Sequence, residues 1–157
     1  MADERTKIFV CFEPHFQAYA ERLDAWLHTN HDKAFYNRRV DVPVESAAAE
    51  SIKRILREQI QEADVTVCMI SQRACDDDWI AWELETSKSG PRRNGLVGIF
   101  LHEHDPHPPA MVDSGAIFVP FKRDTVEGAI EWALTEHPTS DDFTFRDDWQ
   151  SPRARKR

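Results

Sequence analysis

The feature that most constrains this chain is a regular exchange of short apolar runs with longer stretches of helical periodicity. Lys7–Phe12 (KIFVCF) is a near-continuous apolar run with β-branched and aromatic residues, the pattern of a strand buried on both faces. Phe16, Tyr19, Ala20, Leu23, Trp26 and Leu27 then recur at helical spacing and predict an amphipathic helix ending near Asn30. Ala34–Asn37 (AFYN) reads as a second strand, and the polar loop RRVDVPVES after it offers Ser46 as an N-cap. Ile52, Ile55, Leu56, Ile60 and Ala63 mark a second helix, and Asp64–Ser71 (DVTVCMIS) is the clearest strand. A third helix is expected from about Asp77 to Lys88, stopped by Gly90-Pro91. Leu96–Leu101 and Ala116–Phe121 supply two more strands, with Pro120 best suited to an edge or an end. Thr125 is the expected cap of a last helix bearing Val126, Ala129, Ile130, Ala133 and Leu134.

Strand and helix alternating in this way call for a parallel sheet covered on both faces, because right-handed crossovers allow little else. The expected class is α/β: a flavodoxin-like three-layer fold with a five-stranded, mainly parallel sheet in the order 2-1-3-4-5. Ligands of such sheets bind beyond the C-terminal strand ends, where the first and third strands diverge. That geometry nominates Phe12–His15, Asn37–Arg39 and Ser71–Trp79. Residues 1–136 read as one domain and residues 137–157 as an extension with a basic end, in which Phe143, Phe145 and Trp149 are candidates to dock on the body.

Charge narrows the partners. The chain of 157 residues has a net charge of −8, yet its last five residues, RARKR, hold four of the twenty Lys and Arg. Without them 16 basic groups face 28 acidic ones, a net −12 that repels nucleic acid over most of the surface. A solvated end is the plainer reading of RARKR, contact with an anionic partner the other. No long uncharged apolar stretch spans a membrane, and MADERTKIFV lacks the apolar core of a signal peptide, so the expected location is the cytoplasm. Cys11, Cys68 and Cys75 show neither disulfide-framework nor zinc-ligand spacing.

Several chemistries lack their motifs. There is no GxxxxGK[ST], GxGxxG or GxSxG, and the third strand ends Met69-Ile70-Ser71 where a phosphoacceptor domain needs an aspartate. His102, His104 and His107 in HEHDPHPP are the one metal-like cluster, though a Pro-broken polar loop explains them without a metal. The most unusual segment is Asp76–Glu85 (DDDWIAWELE). Its leading acids suit the positive end of a helix dipole, and Trp79 and Glu83 share one face a turn apart. A carboxylate beside a large aromatic suits a site that stacks a flat ring and stabilises positive charge; spacing alone favours a core Trp beside a surface Glu.

On these residues the chain resembles TIR domains, in which a Trp precedes the glutamate of NAD-cleaving members by four positions. The fuller string DVTVCMIS…DWIAWEL…NGLVGIFLH resembles the TIR-like domains of bacterial Thoeris antiphage defence, over about residues 7–135. Cys11 stands where a Ser is usual, Glu13-Pro14 replaces a polar or basic pair, and the loop after Asn37 is unusual. The resemblance implies cleavage of the nicotinamide–ribose bond of NAD, which is a substrate and not a resident cofactor. It also implies conversion of the ADP-ribosyl group into a signal, commonly cyclic, that a separate effector reads, and a homo-oligomeric state. Glu83 would be the catalytic carboxylate, Trp79 a stacking wall, and Phe12 and Ser71 the crevice lining. Asn37 would reach a ribose hydroxyl, and Arg38 and Arg39 the pyrophosphate. No metal is needed. Two other readings stay open: a non-catalytic adaptor that associates through Arg38–Ser46, and a nucleoside deoxyribosyltransferase-like enzyme. Because an acidic body has to hold an anionic dinucleotide, positive groups are expected in the crevice: the helix N-termini after Phe12 and Ser71, and the two arginines; a crevice lined by acids alone would make NAD the wrong ligand.

Overall fold

The computed structural model describes residues 6–27, 31–34, 42–89, 93–102, 105–135 and 143–144. The element order is β1 (Thr6–Cys11), α1 (Gln17–Trp26), β2 (His31–Ala34), α2 (Ala49–Glu62), β3 (Val65–Ile70), α3 (Asp78–Lys88), β4 (Gly95–Phe100), β5 (Ile117–Pro120), α4 (Arg123–Ala133) and β6 (Phe143–Thr144). All strand pairs are parallel, and the sheet runs β2-β1-β3-β4-β5-β6.

The central strands are apolar on both sides because both sides are covered. Phe9, Cys11, Cys68, Ile70 and Phe118 pack with Leu56, Ile60, Trp79, Ile80 and Leu84, so α2 and α3 cover one face. Ile8, Val10, Phe12, Val67, Met69 and Ile99 pack with Leu23, Val126 and Ile130, so α1 and α4 cover the other. Alternate residues of each strand therefore feed opposite layers.

The α/β class with a parallel sheet is as expected, but the sheet has six strands and not five. The sixth is two residues long, paired to β5 as Ile117↔Phe143 and Phe118↔Thr144, and too short to leave a periodic signal in a polar extension. β2 starts at His31, three residues before the expected Ala34, pairing as Thr6↔His31 through Phe9↔Ala34. It is an edge strand, and an edge tolerates the polar residues that hid it in the sequence. Asn37, the expected end of that strand, and the Gly90-Pro91 stop both lie outside the described residues.

Two expected caps are not caps. Ser46 donates its hydroxyl to the Pro43 carbonyl (2.7 Å) inside a turn, and α2 starts after Ala48. Thr125 shares its hydroxyl hydrogen between the Lys122 and Pro120 carbonyls (3.0 and 3.2 Å), and α4 starts after Lys122. Ile55, expected on the buried stripe of α2, is 42% exposed, because the stripe is completed by Ala49, Ile52, Leu56 and Ile60. Among the described residues no helix is long and apolar enough to cross a membrane.

Candidate active site

α3 begins where DDDW directs it. Ser71 closes β3, a 3-10 turn at Ala74–Asp76 follows, and Asp77 caps the helix by accepting the Ile80 N–H on Oδ1 at 2.9 Å. The helix then buries Trp79, Ile80, Glu83 and Leu84 against the sheet. Trp79 is 5% exposed and donates its indole N–H to the Val42 carbonyl (2.8 Å), tying α3 to the loop that precedes α2. Trp82 lies outside it, edge-on to Trp79 at 6.1 Å between centroids, with the Lys53 and Arg57 cations 5.8 and 5.5 Å from its own ring.

A cavity of about 320 Å³ opens against this corner, lined by Glu13, Pro14, Val42, Pro43, Val44, Glu45, Asp77, Asp78 and Trp79. Its walls are one indole and four aliphatic or proline side chains, and its polar groups are four carboxylates. Glu13 is itself mostly buried and hydrogen-bonds the His15 ring at Nδ1.

Of the residues expected at the site, Trp79 lines the cavity. Glu83 stands one turn behind it, 3% exposed and outside the lining. Ser71 is fully buried directly after β3, and among the described residues its hydroxyl has no hydrogen-bond partner. An orphaned buried hydroxyl is uncommon, and this one lies outside the cavity lining. Phe12 packs in the layer under α1 and α4, on the opposite face of the sheet from Trp79. Asn37, Arg38 and Arg39 lie outside the described residues.

The expectation of positive groups in the crevice is not met by the described lining, which holds acids and no base. The N-terminus of α3 does not relieve this, because Asp77 caps it from within and Asp78 follows. Glu13, Asp77 and Asp78 belong to the segments that topology nominated, whereas Val42–Glu45 were missed as lining. The indole bond to Val42, 37 residues away in sequence, and the packing of Val42 and Val44 on the core under α3 bring that loop to the helix.

The histidine cluster disperses. His107 stacks on Phe118 at 4.1 Å between centroids, and His102 meets the Phe16 ring edge with Asp105 3.6 Å from its Nδ1. His104 lies outside the described residues.

Asn94 was also missed. Its side-chain amide donates to the Ile60 carbonyl and to Thr66 Oγ1, both at 3.0 Å, and its backbone N–H donates to the Ser87 carbonyl at 3.0 Å. One residue thereby joins the last turns of α2 and α3 to β3. An isolated Asn before a strand carries no sequence signal for that role.

A family model described as Thoeris protein ThsB, TIR-like domain, matches residues 9–106 of the chain. The match takes in Phe9–Cys11 of β1, β2 through β4, and with them Trp79, Glu83 and all nine lining residues of the cavity. No curated protein matches the chain.

Proposed function

The chain belongs to the family of Thoeris ThsB TIR-like domains, an antiphage-defence signalling family, and on that premise we propose that it is an NAD-cleaving enzyme. It breaks the nicotinamide–ribose bond and converts the ADP-ribosyl part into a diffusible, cyclic nucleotide signal. The observation that carries this reading is the stacking of Trp79 and Glu83 on consecutive turns of α3, with the indole forming a cavity wall where β1 and β3 lead to the site.

Loss of nicotinamide leaves an oxocarbenium-like ribose, as in glycoside hydrolysis. A carboxylate held beside it stabilises the developing charge, and burial of Glu83 limits the screening that water would impose. Glu83 is the proposed catalytic group. Glu83 lies one turn behind Trp79 and outside the cavity lining, so on this reading the indole, held by its bond to the Val42 carbonyl, has to move before the ribose reaches it. Ser71 stands buried at the C-terminal end of β3, outside the cavity lining.

The acidic cavity divides the substrate. At about 320 Å³ it holds the nicotinamide–ribose end and not a whole dinucleotide. Oxidised nicotinamide is cationic and is attracted by Glu13, Glu45, Asp77 and Asp78. The pyrophosphate is repelled by them and points away from the cavity, and Arg38 and Arg39 are the groups proposed to bind it. The protein acts in the cytoplasm as a homo-oligomer, and a separate effector reads the nucleotide.

The test is direct. Protein purified from phage-infected cells and incubated with NAD is expected to release nicotinamide and an ADP-ribose-derived product, resolved by mass spectrometry. Glu83→Gln is expected to abolish the release with a melting temperature close to wild type. Turnover retained by that variant would remove Glu83 from the mechanism.

A further inference from the structure

The face of α3 that meets the sheet is apolar except at one place, and that place is the turn carrying Glu83. Thr66 on β3 and Ser87 on α3 are both buried, with their hydroxyl oxygens 2.7 Å apart. The neighbours settle which hydroxyl donates. Asn94 Nδ2 donates to Thr66 Oγ1 at 3.0 Å, and Ser87 Oγ donates to the Glu83 carbonyl at 2.9 Å. Ser87 has spent its hydrogen on Glu83, so the Thr66 hydrogen goes to Ser87. The bonds then run in one direction, from the Asn94 amide through the Thr66 and Ser87 hydroxyls to the Glu83 carbonyl. Each donor in such a chain polarises the next. Its origin is anchored, because the second hydrogen of the Asn94 amide goes to the Ile60 carbonyl at 3.0 Å.

Apolar packing alone leaves a helix some freedom to slide and rotate on a sheet, since dispersion contacts are non-directional. A buried hydrogen bond is directional and costly to leave unmade, so it selects one rotation and one height. We propose that Thr66 and Ser87, oriented by Asn94, are positioning residues that set the rotation of α3 and so the placement of the Glu83 carboxylate and the Trp79 indole. The proposal rests on the assignment of Glu83 as the catalytic group. It adds that the group's accuracy comes from β3, through a buried polar clamp at the C-terminal end of the helix, two turns from the Trp79 wall of the cavity.

The experiment compares full-length Thr66→Val, which keeps the shape and removes the hydroxyl, with Thr66→Ser, which restores it. Ser87→Ala removes the bonds on both sides of the Ser87 hydroxyl, leaves the Asn94–Thr66 bond in place, and serves where Thr66→Val fails to fold. Two readouts are taken. Nicotinamide release from NAD is expected to fall about tenfold to a hundredfold in kcat in the Val and Ala variants, with KM changed less than about twofold, and to return in Thr66→Ser. The Trp79 indole N–H resonance, which reports the bond to Val42, is expected to shift in the same two variants and to return in Thr66→Ser. If both variants lower the melting temperature while kcat and the Trp79 resonance stay at wild-type values, the clamp is merely structural and the proposal is overturned. Should wild-type protein itself release no nicotinamide, the NAD reading fails first, and the Trp79 resonance alone decides whether the clamp positions α3.

Discussion

A missing Cβ sets how closely α4 lies on β4. At Gly95 an added methyl would stand 2.3 Å from the Ala133 carbonyl oxygen and 2.9 Å from its Cβ, so backbone would have to retreat. At Gly98 the nearest atoms to the methyl would be side-chain atoms, Phe118 Cδ1 at 2.7 Å and Ile70 Cδ1 at 2.9 Å. Overpacking of this kind costs about 1–3 kcal/mol. Gly95→Ala is therefore expected to lose more stability than Gly98→Ala, measured as denaturation midpoints; the reverse order would mean that α4 yields more easily than the Phe118 ring. Neither role is visible in the string NGLVGIF, because the obstructing atoms come from β3, β5 and α4. Trp79 and Glu83 were legible for the opposite reason: their relation is a local helical spacing. What spacing left open was burial. A surface Glu was the plainer reading, and Glu83 is instead 3% exposed.

At the scale of elements, α3 was read almost to the residue because its start signal is local. Asp77 caps it through a bond to the Ile80 N–H, two acids flank the N-terminus, and Lys88 closes the last turn. Asp77→Ala is expected to cost about 1 kcal/mol, seen as a lower melting temperature; Asp77→Asn, which keeps the acceptor oxygen, is expected to lose much less. An equal loss in both would assign the effect to charge and not to the cap. Ser46 and Thr125 show where such reading fails. A hydroxyl both donates and accepts: Ser46 donates to the Pro43 carbonyl in a turn, and Thr125, already inside the first turn of α4, donates back to the Lys122 and Pro120 carbonyls, where a cap would accept from an N–H. The direction of the approaching chain decides between the two uses.

At the scale of the molecule, β6 covers the outer side of β5 from a segment that reads as polar extension. Truncation after residue 136 is expected to leave β5 as an open edge. The loss of the short ladder at Ile117 and Phe118 costs on the order of 1–2 kcal/mol. Concentration-dependent association should follow, detected by light scattering. A truncated chain that stays monomeric with an unchanged melting temperature would make β6 dispensable. The sequence by itself determined the α/β class, the parallel sheet between two helical layers and the pairing of Trp79 with Glu83, because period and composition are local quantities and burial on both faces leaves its mark on β1, β3, β4 and β5. Tertiary structure alone decided three things: that an edge strand is built from His31–Ala34, that four acids and the Val42 loop wall one cavity, and that Asn94 ties two helices to β3. Each depends on atoms that are far apart along the chain and meet only when the sheet is assembled, so no window of the sequence contains them.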